Sequence, residues 1–83
     1  MARRGIRDAR RRDIAAQAAV RLIRSGERPV YRLVPTQDGR WAIESRGWLS
    51  VDASDRRGAL VAARAAVADW LDVPADSFDV ESA

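Results

Sequence analysis

Three short β-type segments follow one another between residues 30 and 53, with helical periodicity on either side, and this order restricts the fold more than any other feature. Val30 to Val34 is rich in β-branched and aromatic residues, starts after Pro29 and is stopped by Pro35. Gln37-Asp38-Gly39 is a hairpin signal. Arg40 to Ser45 then alternates, with Trp41 and Ile43 on one face and Ala42 and Glu44 on the other. Arg46-Gly47 reads as a second tight turn. Trp48 to Ala53 alternates again, so that Leu49 and Val51 oppose Trp48 and Ser50.

The flanks follow a different period. Over residues 13–25, Ile14, Ala18 and Leu22 stack at 100° per residue with Ala15, Ala19 and Ile23 beside them. Asp13, Gln17, Arg21 and Arg24 fall on the opposite side, and Gly26 stands where a left-handed C-cap is expected. Residues 55–71 predict a second helix, with Asp52 or Ser54 as N-cap and Asp55 favouring the dipole. Its inner face is expected to carry Leu60, Ala63, Val67 and Leu71, beside a ridge of Ala59, Ala63, Ala66 and Trp70. Pro74 ends that helix, and Ser77 to Glu81 alternates once more, with Phe78 and Val80 in a closing strand. The order α-β-β-β-α-β predicts an α+β fold: an antiparallel sheet with its helices packed on one face. Residues 1–12 read as a flexible Arg-rich arm and residues 13–83 as a single α+β domain.

Composition narrows the chemistry. The 83 residues contain no Cys and no His, and all fifteen basic residues are Arg. Disulfides and thiolate metal sites are therefore excluded. So are histidine-activated nucleophiles and lysine Schiff bases. Ser50 and Tyr31 have no base to activate them. Asp69, Asp72, Asp76, Asp79 and Glu81 succeed one another near the C-terminus without an earlier carboxylate group to converge with, so a catalytic metal site is not expected. The expectation is a binding module without catalytic residues, metal or cofactor.

Charge is segregated. Residues 1–32 carry ten Arg against three acids, a balance of +7, and residues 33–83 carry five Arg against nine acids, a balance of −4. Coding bias can favour Arg over Lys, but it does not sort charge by position. The arm residues Arg3, Arg4, Arg7, Arg10, Arg11 and Arg12 are candidate nucleic-acid contacts, each able to neutralise a phosphate of DNA or RNA. No aromatic interleaves with them, so base stacking by the arm is not expected. No apolar run approaches the ~18 residues of a membrane span, and no signal-peptide core follows the basic N-terminus. The expected location is the cytoplasm, without membrane contact.

Three stretches resemble the small domain of HicB-type antitoxins: GRWAIE at 39–44, ARAAVADWLDVP at 63–74 and ADSFDVE at 75–81. LDVPADSFDVE is the most specific of these, and the resemblance covers residues 39–81. It implies a β-β-β-α-β core similar to a truncated RNase H fold. It also implies a small basic RNA-cleaving toxin as partner, operator DNA as a second ligand, and self-association. The sequence departs from the family twice. The Pro-Asp-Leu-Pro-Gly-like segment between the second and third strands is missing where Glu44 runs through Ser45-Arg46-Gly47 to Trp48. The Arg-rich arm and an extra helix stand in front of the domain, where the family has a DNA-binding unit behind the closing strand.

The leading expectation is thus an antitoxin-type or regulatory protein that binds a small basic partner through Trp48, Asp76, Asp79 and Glu81. The alternative is a stand-alone nucleic-acid-binding module without a toxin. The uncovered sheet face, bearing Trp48, Ala42 and Val30 or Tyr31, predicts a homodimer with Trp48 near its centre. Trp41 and Trp70 are expected in the core.

Overall fold

The computed structural model describes residues 14–44 and 46–82. The arm, with Arg3, Arg4, Arg7, Arg10, Arg11 and Arg12, lies outside the described residues, as does the side chain of Trp48. Residues 14–24 are helical (α1). Then follow β1 (Val30–Pro35), β2 (Trp41–Ile43), β3 (Arg46–Val51), α2 (Arg56–Leu71) and β4 (Asp79–Ser82). The element order is the one the sequence predicts, and the class is α+β.

The four strands form one open sheet in the order β3-β2-β1-β4. The β1/β2 and β2/β3 pairs are antiparallel, but β4 joins β1 in parallel, which corrects the expected all-antiparallel sheet. The reason is the connection. Two hairpins leave β3 pointing the same way as β1, and a helix returning across the sheet delivers the next strand in that same direction.

Local chemistry sets the boundaries. In the β1–β2 turn, the Thr36 N–H donates to the Arg40 carbonyl at 2.8 Å and the Gly39 N–H to the Thr36 carbonyl at 3.3 Å. Gly39 has φ +82°, a conformation that glycine adopts without steric cost. Arg46-Gly47 is not a turn but the start of β3, and a register shift between Ala42 and Ile43 accommodates it. The N-cap of α2 is Asp55, not Asp52 or Ser54: its carboxylate accepts the Gly58 N–H at 2.8 Å. Asp72 ends α2 in the left-handed region at φ 54°, and the Val73 N–H reaches back to the Ala68 carbonyl at 3.2 Å.

The core joins Leu33, Ile43, Ala59, Ala63, Val67, Leu71 and Phe78 with Ala19 of α1. α2 contacts all four strands. Ala59 and Ala63 are fully buried and leave room for the helix backbone to approach the sheet. Trp41 and Trp70 pack against this core, as expected. Tyr31 meets Trp70 and Phe78 edge-on, with ring centroids 6.1 and 5.9 Å apart.

The inner face of α1 differs from the expected one. Ala16, Ala19, Val20 and Ile23 turn inward, whereas Ile14 is 67% and Leu22 44% exposed, with Ala18 exposed between them. The stripe of large aliphatics expected to enter the core therefore faces outward. No helix among the described residues is long and apolar enough to cross a membrane.

Candidate partner-binding surface

The segment from Asp72 to Ser82 carries four of the five C-terminal acids, and two arginines from other elements hold it in place. Arg28, in the α1–β1 connection, directs its whole guanidinium at this segment. Its Nη1 donates to the Asp76 carbonyl at 2.6 Å and its Nη2 to the Phe78 carbonyl at 3.3 Å. The same group grips the Asp79 carboxylate with two bonds, Nε to Oδ2 at 3.3 Å and Nη2 to Oδ1 at 3.0 Å. Arg64, on α2, approaches from another element. Its Nη1 donates to the Ala75 carbonyl at 2.7 Å and the Phe78 carbonyl at 3.2 Å, and its guanidinium carbon lies 5.8 Å from the centre of the Phe78 ring.

The Phe78 carbonyl therefore accepts from both arginines while its ring, fully buried, anchors the segment in the core. Within the segment, the Ser77 N–H donates to the Pro74 carbonyl at 3.1 Å, and the Asp79 N–H starts the parallel ladder at the Pro29 carbonyl, 2.9 Å away. Planar, multidentate guanidinium groups suit this task, because one side chain can satisfy several carbonyls that a loop leaves unpaired.

Electrostatics follow the geometry. The hydrogen bond from Arg28 holds the Asp79 carboxyl below its ordinary range, and the charges of Arg28 and Arg64 act in the same sense. The Arg28 guanidinium is correspondingly raised, chiefly by the hydrogen bond to Asp79 and then by that residue's charge. Burial raises the Tyr31 phenol, opposed by Arg46, so Tyr31 stays neutral and serves as packing.

Of the residues singled out from sequence, Asp79 thus has both carboxylate oxygens on Arg28, with its side chain half exposed. Asp76 offers its backbone to Arg28 and keeps an exposed side chain. Glu81 is exposed and stands in register with Arg32. The structure places Asp79 and Glu81 on the edge strand β4 and Asp76 in the loop before it, whereas Trp48 belongs to β3 at the other edge. On the sheet face away from the core, Val30 is 56% exposed and Arg32 lies 4.0 Å from Glu44. Tyr31 does not join that face, because it points to Trp70 and Phe78. Sequence reasoning assigned no part to Arg28 and named Arg64 only within a motif. Arg28 meets its partner 51 residues away, and no local spacing signals it.

Beside the clamped segment, Leu60, Val61, Arg64, Ala65, Ala75 and Val80 line an open groove of about 340 Å³ between α2 and β4. Its walls are mostly aliphatic, and Val61 is 68% exposed. A second hollow of about 260 Å³ is lined by Val30, Tyr31, Arg32, Glu44 and Arg46. Among the described residues no three acids lie close enough together to hold a metal ion. No family model, curated protein or solved structure matches the chain.

Proposed function

We propose that this chain is a non-enzymatic, HicB-type antitoxin or regulatory protein that acts in the cytoplasm by binding a small basic protein. The observation that carries the reading is the clamp: Arg28 and Arg64 hold carbonyls 75, 76 and 78, so the acids around them sit on an ordered frame. An acidic segment ordered in advance loses little conformational entropy on meeting a cationic partner, and its field speeds the encounter. The LDVPADSFDVE stretch supplies the class of partner, a small basic toxin, because it is the part that most resembles the antitoxin family.

Self-association belongs to the same proposal. Ile14, Ala18 and Leu22 on α1, with Val30 on the open sheet face, are apolar surface that a second copy can cover. A second reading, a stand-alone nucleic-acid-binding module, is favoured by Arg21 and Arg24. Both are exposed on α1 and continue the basic series of the arm.

Co-expression with the product of the neighbouring reading frame tests the proposal. The expected result is a stoichiometric complex with a short basic protein and relief of the growth arrest which that protein causes alone. Absence of complex and of relief, together with nucleic-acid binding that collapses between low and moderate salt, overturns it in favour of the second reading.

A further inference from the structure

We infer that the outer edge of β4, with the groove beside it, is a strand-addition site for an extended partner segment that alternates apolar and basic residues. The inference deepens the partner-binding reading and rests on it for the existence of a protein partner.

The edge is defined by hydrogen bonding. Asp79 bonds inward, its N–H meeting the Pro29 carbonyl at 2.9 Å. In a parallel ladder the inward groups alternate along the strand, so Glu81 also bonds inward, while the N–H and C=O of Val80 and Ser82 point away from β1. The other side of β1 agrees: the Arg32 carbonyl accepts the Glu44 N–H at 2.7 Å, which leaves the odd-numbered residues of β1 for β4. Among the described residues β4 is the last strand on this side.

Side chains then specify the occupant. A strand laid against β4 places alternate residues on its two faces. Those on the α2 side enter the groove of Leu60, Val61, Ala65, Ala75 and Val80, which accepts aliphatic groups. Arg64 borders that groove, but its Nη1 is engaged by the Ala75 and Phe78 carbonyls. Residues on the other face lie beside Glu81, whose exposed carboxylate can take a cation, and beside Asp79, whose two oxygens Arg28 already holds.

Charge also weighs against the simplest rival in its two registers of fullest overlap. A second copy paired antiparallel through β4 sets Asp79 opposite the second copy's Glu81 when centred on Val80. Centred on Glu81, it sets Glu81 opposite itself. Both registers put like charges across the ladder, which is unfavourable. The same acids that blunt this edge against self-pairing leave it receptive to a basic strand.

The test uses the full chain, isotope-labelled for NMR, and three blocked seven-residue peptides. One alternates valine and arginine, one has the same composition in two blocks, and one alternates valine and glutamate. The expected result is binding of the first peptide alone. Its backbone shows cross-relaxation to Val80 and Ser82, the exchange of those two amides slows, and the Leu60, Val61, Ala65 and Ala75 signals shift. Glu81→Arg is expected to weaken binding roughly 2–30-fold, the loss of one attraction and gain of one repulsion across a ladder. Ser82→Pro removes an outward donor without touching the inner ladder and is expected to abolish binding, while unchanged β1 signals report an intact sheet. Equal binding of the block peptide, or shifts confined to other surfaces, overturns the inference. So does Val80 and Ser82 protection in a peptide-free dimer. A neighbouring-frame partner that binds Ser82→Pro and Glu81→Arg as tightly as the native chain overturns the edge site and leaves the antitoxin reading standing. Specific peptide binding without any toxin removes that reading and leaves the edge site.

Discussion

Truncating Phe78 to Ala is expected to bring the fold close to collapse. Phe78 is fully buried, immediately before the four-residue β4, and its ring touches both Tyr31 and the Arg64 guanidinium. Removing a buried phenyl ring costs roughly 3–5 kcal/mol, the sum of lost transfer energy and the cavity left behind. A domain of this length has a total stability of roughly 4–12 kcal/mol. The substitution therefore consumes a large share of that total and loosens the carbonyl that both arginines hold. At ~4–8 °C per kcal/mol for a small domain, the melting temperature falls by at least ~12 °C. Phe78→Leu keeps most of the apolar volume and loses the ring contacts, so its cost is about 1–2 kcal/mol. Thermal unfolding followed by near-ultraviolet dichroism measures both. If Phe78→Ala costs less than about 1 kcal/mol, the segment does not hang on this ring and the packing argument is wrong.

Three further outcomes are expected. Asp79 should titrate below the ordinary 3.8, and Arg28→Gln should return it towards that value; a carboxyl titration by carbon-13 NMR that is identical in both proteins contradicts the clamp. Because this pKa is depressed in the fold, the associated stability is present above the ordinary carboxylate range and lost as pH falls through the lower, folded value. Gly39→Ala should cost ~1 kcal/mol in urea denaturation; a Cβ there meets nothing within 4 Å, so the cost comes from the backbone at φ +82° alone. Asp55→Ala should cost ~1 kcal/mol and fray the first turn of α2, visible as faster amide exchange at Gly58, whereas Ser54→Ala should change little.

The parts legible in the sequence were those with local chemistry. Gly39 announced the first turn, the alternation of Trp41 to Glu44 assigned the faces of β2, and Pro74 closed α2. The misreadings share a cause in weak contrast. In α1, alanines occupy both faces, so the large aliphatics Ile14 and Leu22 steered the moment outward, while the inner face is built from Ala16, Ala19, Val20 and Ile23. Small residues suit a close approach, but they carry little signal of where it occurs. Arg46-Gly47 has turn composition, yet pairing with β2 through a register shift overrides it. Asp52, Ser54 and Asp55 are all capping residues, and only backbone geometry chooses among them; Asp52 instead pairs with Arg40 at 2.7 Å. Arg28 stands in a connection before Pro29, where no periodicity or motif marks it. Its role depends on a segment that reaches it only after α2 has crossed the sheet.

Backbone relaxation across residues 75–82 tests the central claim most directly, because the account needs an acidic edge that is ordered before any partner arrives. Amide order parameters near ~0.85 are expected there in the free protein, like those of β1. Replacing both Arg28 and Arg64 by Gln is expected to lower them across residues 75–77 to below ~0.6 while β1 stays rigid. Values already below ~0.6 in the native chain, or no change in the double variant, would contradict the claim that these two arginines preform the binding edge.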